Sequence, residues 1–144
     1  MNGNIKPVAA VGAVVFNNGC VLLVKRKNPP AKGQWAIPGG KIMTGERMQE
    51  TAEREIFEET SLVIKAGNPV FSFDVIERDE NGKLQFHYVI IDLIAEYLSG
   101  DIKARDDAIE ARWIAKKELS DLKINPNTRY LSLIHISEPT RLRR

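Results

Sequence analysis

Residues 40–62 read GKIMTGERMQETAEREIFEETSL and contain the clearest helix signal in the chain. Met48, Ala52 and Ile56 recur at four-residue spacing, which places them on one apolar stripe of an amphipathic helix. The spacing predicts a helix over about Glu46–Thr60. Its glutamate at position 46 suits the positive end of the helix dipole, and Thr44 is the expected N-cap.

A second face of the predicted helix is acidic. Glu55, Glu58 and Glu59 lie at i, i+3 and i+4, so their side chains crowd one side of it. Like charges at this spacing repel by roughly a few tenths of a kcal/mol per pair. Because Mg²⁺ prefers oxygen ligands and binds a few carboxylates together with waters and phosphates, this face indicates a magnesium platform. The alternative is a solvated acidic face that pairs with lysines and arginines.

Strand signals lie on both sides of the helix. The apolar segment Pro7–Phe16 and the segment Cys20–Arg26 are predicted strands, joined by the turn signal at 17–19. Further elements are expected as extended segments at 35–40, 62–66, 70–77, 84–97 and 111–114, a hairpin turn at 79–82, a charged loop at 103–110, a short helix at 116–122 and a helix from Pro126. Since strands and helices intermix, we expect an α/β (α+β) sandwich.

Length and composition favour one ordinary globular domain. The chain has 144 residues, of which 43% are hydrophobic and 28% charged. The single cysteine, Cys20, excludes an internal disulfide. No apolar run reaches membrane-spanning length, and Met1–Lys6 lacks the layout of a signal peptide. The expected location is therefore the cytoplasm, with no membrane partner.

The positions around the acidic face extend it into a longer pattern. Gly40 is followed after five residues by Glu46, and after seven more by the run REIFEETSL at 54–62. This resembles the Nudix box, G-x5-E-x7-R-E-U-x-E-E-x-G-U, in which U is a bulky aliphatic residue. The resemblance implies a Nudix hydrolase, with a mixed β-sheet sandwiched between helices and the box forming a loop-helix-loop.

One position departs from the box: Ser61 stands where the family has glycine. The glycine would end the helix in the left-handed conformation, which costs serine roughly 1 kcal/mol. Because this is not a ligand position, we expect lower stability and intact chemistry.

The resemblance also implies roles for individual residues. Metal binding falls to Gly40, Glu46, Glu55, Glu58 and Glu59, with Mg²⁺ as the expected ion and Mn²⁺ as the other possible one. Glu55, Arg54 and Glu58 form the expected catalytic group, in which Arg54 orients a glutamate. The general base is Glu55 in some members and a loop carboxylate in others; the loop candidates here are Asp106, Asp107 and Glu110, which otherwise are ordinary surface charges.

Outside the box, several segments resemble the ADP-ribose pyrophosphatase branch, which cleaves ADP-ribose to AMP and ribose 5-phosphate. These segments start at Val11, Lys27, Gly33, Asp74, Phe86 and Asp106. The expected substrate contacts are Arg26, Gly39, Asp107 and Glu110. Phe73 and Phe86 are candidates for stacking on a base, whereas Trp35 is expected to pack, and Tyr88 and Trp113 to lie in the core. The alternatives are a nucleoside triphosphate pyrophosphohydrolase and a non-catalytic nucleotide-sugar sensor.

The C-terminal segment has a different character. Residues 131–141 read LSLIHISEPTR, which resembles the translation of a transposase adapter used in sequencing libraries. We therefore expect one domain at 1–130 and a non-native tail at 131–144; the alternative is a real amphipathic segment. Without the three arginines and one glutamate of the tail, 18 basic and 18 acidic side chains remain. No basic patch indicates nucleic acid, so the expected partner is a small nucleotide, and a homodimer stays open as an alternative to a single chain.

Overall fold

A computed structural model describes residues 5–28, 32–106 and 108–124. Its strands are β1 Val8–Asn17, β2 Cys20–Arg26, β3 Trp35–Ala36, β4 Gly39–Lys41, β5 Val63–Arg78, β6 Leu84–Ser99 and β7 Ala108–Ala115; its helices are α1 Met48–Thr60 and a 3₁₀ helix at Lys116–Asp121. The seven strands in these ranges form one mixed sheet, which confirms the expected fold class. No helix in the described ranges is long and apolar enough to cross a membrane.

Strand β1 lies at the centre of the sheet. One of its edges pairs in parallel with β6 over nine consecutive residue pairs. Its other edge is shared, because β4 pairs with residues 10–12 and β2 pairs with residues 16 and 17. Pairing at both edges satisfies the backbone of β1, and its residues 10–15 are buried, which agrees with its run of valine and alanine side chains.

Helix α1 packs its apolar stripe against one face of this sheet. Ala52 and Ile56 are fully buried against Val11 and Leu93, and Met48 packs beside them. Burial of a side chain the size of Ile56 contributes roughly 1.5–3 kcal/mol. The predicted stripe is therefore confirmed.

Polar side chains hold α1 against a bulge in β5. The Ala66 amide donates a hydrogen bond to Glu53 Oε2 (2.9 Å), and Gln49 Nε2 donates to the Gly67 carbonyl (3.2 Å). The register of β5 against β6 shifts between Ala66 and Pro69. The two bonds from α1 therefore satisfy backbone groups of β5 that are not paired with β6 at this bulge. They also set the rotation of α1 about its axis, and so the direction of its acidic face.

The start of α1 differs from the prediction. The helix begins at Met48, and its N-cap is Arg47 rather than Thr44. The Arg47 amide donates to Glu50 Oε1 (2.8 Å), while Gly45 adopts a positive φ of 90° in the preceding turn. The expected cap was wrong because this turn places position 44 too far from the first helical amides.

Two of the predicted strand assignments also differ from the structure. Residues 62–66 and 70–77 were expected as separate strands, but they belong to the single strand β5, with Pro69 at its bulge, where proline is tolerated. Strand β7 begins at Ala108, so Glu110 lies in a strand and not in the charged loop. The expected helix from Pro126 lies outside the described residues.

Candidate active site

A cavity of about 790 Å³ opens beside the acidic face of α1. Its walls combine that face, the glycines of β4 and apolar side chains of β5 and β6. Six of the residues expected from the sequence line it: Arg26, Gly39, Gly40, Arg54, Glu55 and Glu59. The other expected residues in the described ranges, Glu46, Glu58 and Glu110, are not part of the lining, and Asp107 lies outside those ranges.

The three glutamates of the acidic face differ in their exposure. Glu59 is buried, with 5% of its surface exposed, and Glu55 is partly buried. Glu58 is directed outward, with 46% of its side chain exposed. Two carboxylates of the predicted platform thus enter the cavity, and the third stands at its outer side.

Two consecutive glycines let β4 approach Glu55 closely. A Cβ atom added at Gly40 would collide with the Glu55 carboxylate. A Cβ added at Gly39 would collide with the backbone of Val11 and Gly12 in β1. A side chain at Gly40 would therefore push β4 away from α1, and a side chain at Gly39 would push β4 away from β1.

Arg54 lies among the glutamates as an internal counter-ion. Its Nε and Nη2 donate to Glu46 Oε2 (2.7 Å) and Oε1 (2.9 Å), which is a bidentate pair. Its Nη1 donates to Glu55 Oε2 (3.0 Å) and to Glu58 Oε1 (3.1 Å). Its Nη2 also donates to the carbonyl of Lys41 in β4 (3.2 Å). Arg54 therefore links the helix to the loop before it, and its expected role of orienting a glutamate stays a prediction.

Glu46 is held by its protein contacts on both oxygens. Besides Arg54, the Thr51 hydroxyl (2.9 Å) and the Met43 amide (3.1 Å) donate to its Oε1. The hydrogen bond from Arg54 holds the pKa of Glu46 at about 2, below its ordinary value of 4.5. The same hydrogen bond raises the pKa of Arg54. These contacts favour a positioning role for Glu46, and its expected role as a metal ligand stays a prediction.

The chemistry of the donor set fits a hard divalent cation. Glu55 and Glu59 supply carboxylate oxygens, and the backbone of Gly40 lies against Glu55 with no side chain in between. Within residues 5–28, 32–106 and 108–124, no three acidic, histidine or cysteine side chains already converge as a metal site. The guanidinium of Arg54 takes up one oxygen of Glu55. A cation at this place would have to share Glu55 with Arg54.

The two expected loop carboxylates that the structure describes, Asp106 and Glu110, do not line the cavity. Glu110 is exposed, and it pairs across the sheet with Lys25. Asp106 is exposed and has a positive φ of 53°. Arg26, in contrast, lines the cavity from the end of β2.

The aromatic residues only partly follow the expectation. Phe73 lines the cavity and keeps its candidacy for stacking on a base, whereas Phe86 does not line it. Tyr88 was expected in the core, which is wrong: its half-buried ring lines the cavity, with Lys41 Nζ 5.9 Å from the ring centre. Trp35 is buried in a core cluster, as expected.

The sequence reasoning missed Asp92. This residue lines the cavity from β6 with only 3% of its surface exposed, and burial raises its pKa to about 7. The available signal was an aspartate in the middle of the apolar run YVIIDLIA at 88–95. A charge at that place in a central strand is unusual and marks a buried polar group.

Comparison with known proteins agrees with this geometry. A protein-family model, described as the NUDIX domain, matches residues 6–133 of this chain. An ADP-ribose pyrophosphatase of Methanocaldococcus jannaschii is 36% identical over 118 residues, which are 82% of this chain and 68% of that protein. The nucleoside triphosphatase NudI of an Enterobacter species is 33% identical over 124 residues, covering 81% of this chain and 87% of that protein.

Solved structures give the same result. The crystal structure of a MutT NUDIX hydrolase from Burkholderia pseudomallei superposes with a TM-score of 0.66 at 30% identity, covering 90% of this chain and 97% of that one. The glutamates of α1, the glycines of β4 and the mixed sheet thus occur together in a chain that a NUDIX model matches over most of its length. The chain belongs to the NUDIX family, and it is a hydrolase of that family.

Proposed function

We propose that this enzyme hydrolyses the phosphoanhydride bond of a nucleoside diphosphate linked to a further group, with ADP-ribose as the substrate, and with Mg²⁺ or Mn²⁺ bound. The observation that carries the proposal is the position of Glu55 over Gly40, beside the buried Glu59, on the wall of a cavity of about 790 Å³. A cavity of this size accommodates a nucleotide. The 36% identity to an ADP-ribose pyrophosphatase supports the substrate.

The chain's own residues would hold the metal and the diphosphate. Glu55, Glu59 and the Gly40 carbonyl are the proposed ligands, with Glu58 assisting from the outer side. A divalent ion at this place would neutralise the developing charge on the phosphates and lower the pKa of a bound water. Arg54 keeps the carboxylates in position through its contacts with Glu46 and Glu55.

Glu55 is the proposed general base. It lines the cavity, whereas Glu110, a loop candidate from the sequence, is exposed and does not. We expect Glu55→Gln to lose turnover and Glu110→Gln to keep it. A pH–rate profile of the Glu110→Gln enzyme checks the assignment: loss there of the limb that reports the base would reverse it.

A second candidate function has its own support. The 33% identity to a nucleoside triphosphatase favours cleavage of a nucleoside triphosphate into a monophosphate and pyrophosphate. The third alternative, a sensor without catalysis, is disfavoured by the retained acidic residues Glu46, Glu55, Glu58 and Glu59.

Product analysis tests these alternatives. The purified protein is incubated with Mg²⁺, and separately with Mn²⁺, and with ADP-ribose, NADH, diadenosine polyphosphates or nucleoside triphosphates. We expect AMP and ribose 5-phosphate from ADP-ribose, at a higher kcat/KM than for any triphosphate. Faster release of pyrophosphate from a triphosphate would establish the second candidate, and no turnover of any compound would reject both.

A further inference from the structure

Asp92 lies on the face of the sheet opposite α1. Its neighbour Leu93 is buried in the cluster that contains Ile56 of α1, whereas the next residue, Ile94, packs against the cluster that contains Trp35. Because successive side chains of a strand point to opposite faces, Asp92 shares the face of Ile94. Its carboxyl group therefore enters the cavity from the side of the sheet that α1 does not cover.

Two glycines make room for this carboxyl group. Gly12 of β1 lies directly opposite Asp92, and a Cβ atom added there would collide with Asp92 Oδ1. Gly39 of β4 pairs with Gly12 on its other side. The carboxyl group thus lies over backbone that carries no side chain, and any side chain at position 12 would fill the place that it occupies.

The Asp92 carboxyl group has no partner in the part of the chain that the structure describes. Asp92 is 3% exposed and lines the cavity, yet no hydrogen bond or ion pair from residues 5–28, 32–106 or 108–124 reaches it. A buried polar group without a hydrogen bond destabilises a fold. Charged or neutral, a carboxyl group keeps at least one acceptor oxygen. A hydrogen-bond donor that enters the cavity would therefore satisfy Asp92 where the protein does not.

The acidic face of α1 reaches the cavity from the other side of the sheet. Gly40 pairs with Val11, which is buried in the cluster that includes α1, and a Cβ atom added at Gly40 would meet the Glu55 carboxylate. Glu55 and Asp92 thus border one cavity from opposite faces of the sheet. A ligand whose phosphates lie at Glu55 would therefore meet Asp92 with another of its parts.

The wall around Asp92 suits the carbon skeleton of a sugar or a base. Tyr88 and Ile90 lie on the same face of β6 as Asp92, and Phe73 of β5 pairs with Ile90; all three line the cavity. Ionised phosphate oxygens offer no donor to a carboxylate, whereas sugar hydroxyls and base amino groups do. The group that meets Asp92 is therefore expected to be a hydroxyl or an amino group.

We propose that Asp92 is a specificity-determining residue whose carboxyl group accepts a hydrogen bond from a hydroxyl or amino group on the phosphate-free part of the substrate. The donor belongs either to the sugar or to the base, and binding measurements separate these two sources. The inference rests on the proposed function for the nature of the substrate, whereas the unpartnered carboxyl group and the glycines beneath it are features of the chain itself.

Binding of small ligands tests it without turnover. Calorimetry in the presence of Mg²⁺ measures AMP, ribose 5-phosphate, pyrophosphate and purine riboside 5′-monophosphate, which lacks the amino group of AMP. The proteins are the wild type, Asp92→Leu and Asp92→Asn, with Asp101→Leu and Asp101→Asn in an exposed loop as matched controls. Asp92→Leu is expected to weaken AMP binding by about tenfold or more, through loss of one buried hydrogen bond, with pyrophosphate binding unchanged. Asp92→Asn keeps an acceptor oxygen and is expected to bind AMP more tightly than Asp92→Leu.

The series of ligands identifies the donor. If it is the amino group, the wild type binds AMP about tenfold more tightly than purine riboside 5′-monophosphate, and Asp92→Leu removes this difference. If it is a sugar hydroxyl, the wild type binds the two nucleotides equally, and Asp92→Leu weakens ribose 5-phosphate by the same factor as AMP.

Several results would overturn the proposal. They are unchanged AMP binding by Asp92→Leu, a loss for pyrophosphate as large as that for AMP, an Asp92→Asn variant as weak as Asp92→Leu, and no binding of AMP by the wild type. Thermal unfolding checks the fold, since removal of a buried carboxyl group without a partner is expected to leave the melting temperature at or above that of the wild type. If Asp92→Leu melts lower, Asp92→Ala removes the same acceptor with less bulk. If AMP binding depends on Asp92 but ADP-ribose is not cleaved, the proposed function fails and this inference stands.

Discussion

Arg54 and the glutamates around it form a balance of charge. Its guanidinium contacts Glu46, Glu55 and Glu58, so the repulsion among the acidic side chains is compensated within the chain itself. A divalent ion binding at Glu55 and Glu59 would add positive charge next to this arginine. We therefore expect the metal affinity to depend on the strength of the ion pair between Glu46 and Arg54. In this role Glu46 would be a positioning residue.

Glu59 is the residue whose neutralisation should separate chemistry from folding. We expect Glu59→Gln to lower kcat by about a hundredfold or more, because the amide replaces a charged metal ligand. Glutamine has nearly the same shape, so the far-UV circular dichroism and the melting temperature should stay close to the wild type. Titration with Mn²⁺ should show weaker binding, with Glu80→Gln in an exposed turn as the control. Full activity of the Glu59→Gln enzyme would refute the metal platform.

Asp92 should impose an unusual pH dependence on stability. Its pKa is about 7 in the fold and near 3.8 when unfolded, so between these values the folded state binds more protons than the unfolded state. The free energy of unfolding therefore falls as the pH rises from about 4 to about 7, by at most about 4 kcal/mol from this one group. Glu46 has the opposite sign: its stabilisation is present above pH 4.5 and is lost as the pH falls toward about 2.

The measurement is a pair of denaturation series from pH 4 to pH 8. The free energy of unfolding of Asp92→Asn minus that of the wild type should grow as the pH rises to 7 and then level off. A constant difference across this range would mean that Asp92 is ionised at all of these pH values.

At the level of elements, the C-terminus of α1 carries a strained residue. Ser61 adopts the left-handed conformation, with φ 69°, and its amide donates to the Phe57 carbonyl (2.9 Å). Ser61→Gly should relieve roughly 1 kcal/mol and raise the melting temperature by about 3 °C, with kcat unchanged. Ser72→Gly is the matched control, because Ser72 lies in β5 and glycine there should lower stability. If the Ser61 variant melts no higher than the wild type, the capping explanation is wrong.

Local signals were enough to predict most elements. The body of α1 follows from its apolar stripe, and the first hairpin from Asn18 and Gly19, which both adopt the positive φ of a tight turn. The start of α1 depends on the turn at Gly45, whose conformation the helix pattern does not reveal, and the continuity of β5 depends on its pairing with β6. The pairing of Glu46 with Arg54 and the bonds from α1 to the β5 bulge leave no local trace.

The same distinction applies to the site. The spacing of Glu55 and Glu59 placed them on one face of the helix, and the resemblance to the Nudix box added Gly40 to the predicted site. Tyr88 and Asp92 reach the cavity through the pairing of β6 with β1, and alternation along a strand does not tell which face meets a cavity.

At the level of the whole molecule, the formal net charge depends on residues 131–144. We propose that residues 131–144 are not part of the domain. Ending the chain after Tyr130 would change the formal net charge from +2 to zero. The expected result is an unchanged melting temperature and kcat, with a lower isoelectric point measured by isoelectric focusing. A clear drop in the melting temperature would instead make the segment part of the fold.

The parallel pairing of β1 with β6 has a consequence for how the chain acquires its structure. Val8 and Tyr88 lie opposite each other although eighty positions separate them in the sequence. During synthesis, β1 therefore cannot pair with β6 until most of the polypeptide has left the ribosome. Closing so long a loop is slow. Until it closes, β1 exposes unpaired backbone groups and valine side chains. Recovery of this protein from denaturant should accordingly fall with rising protein concentration, as intermolecular association competes with the late ordering of its centre.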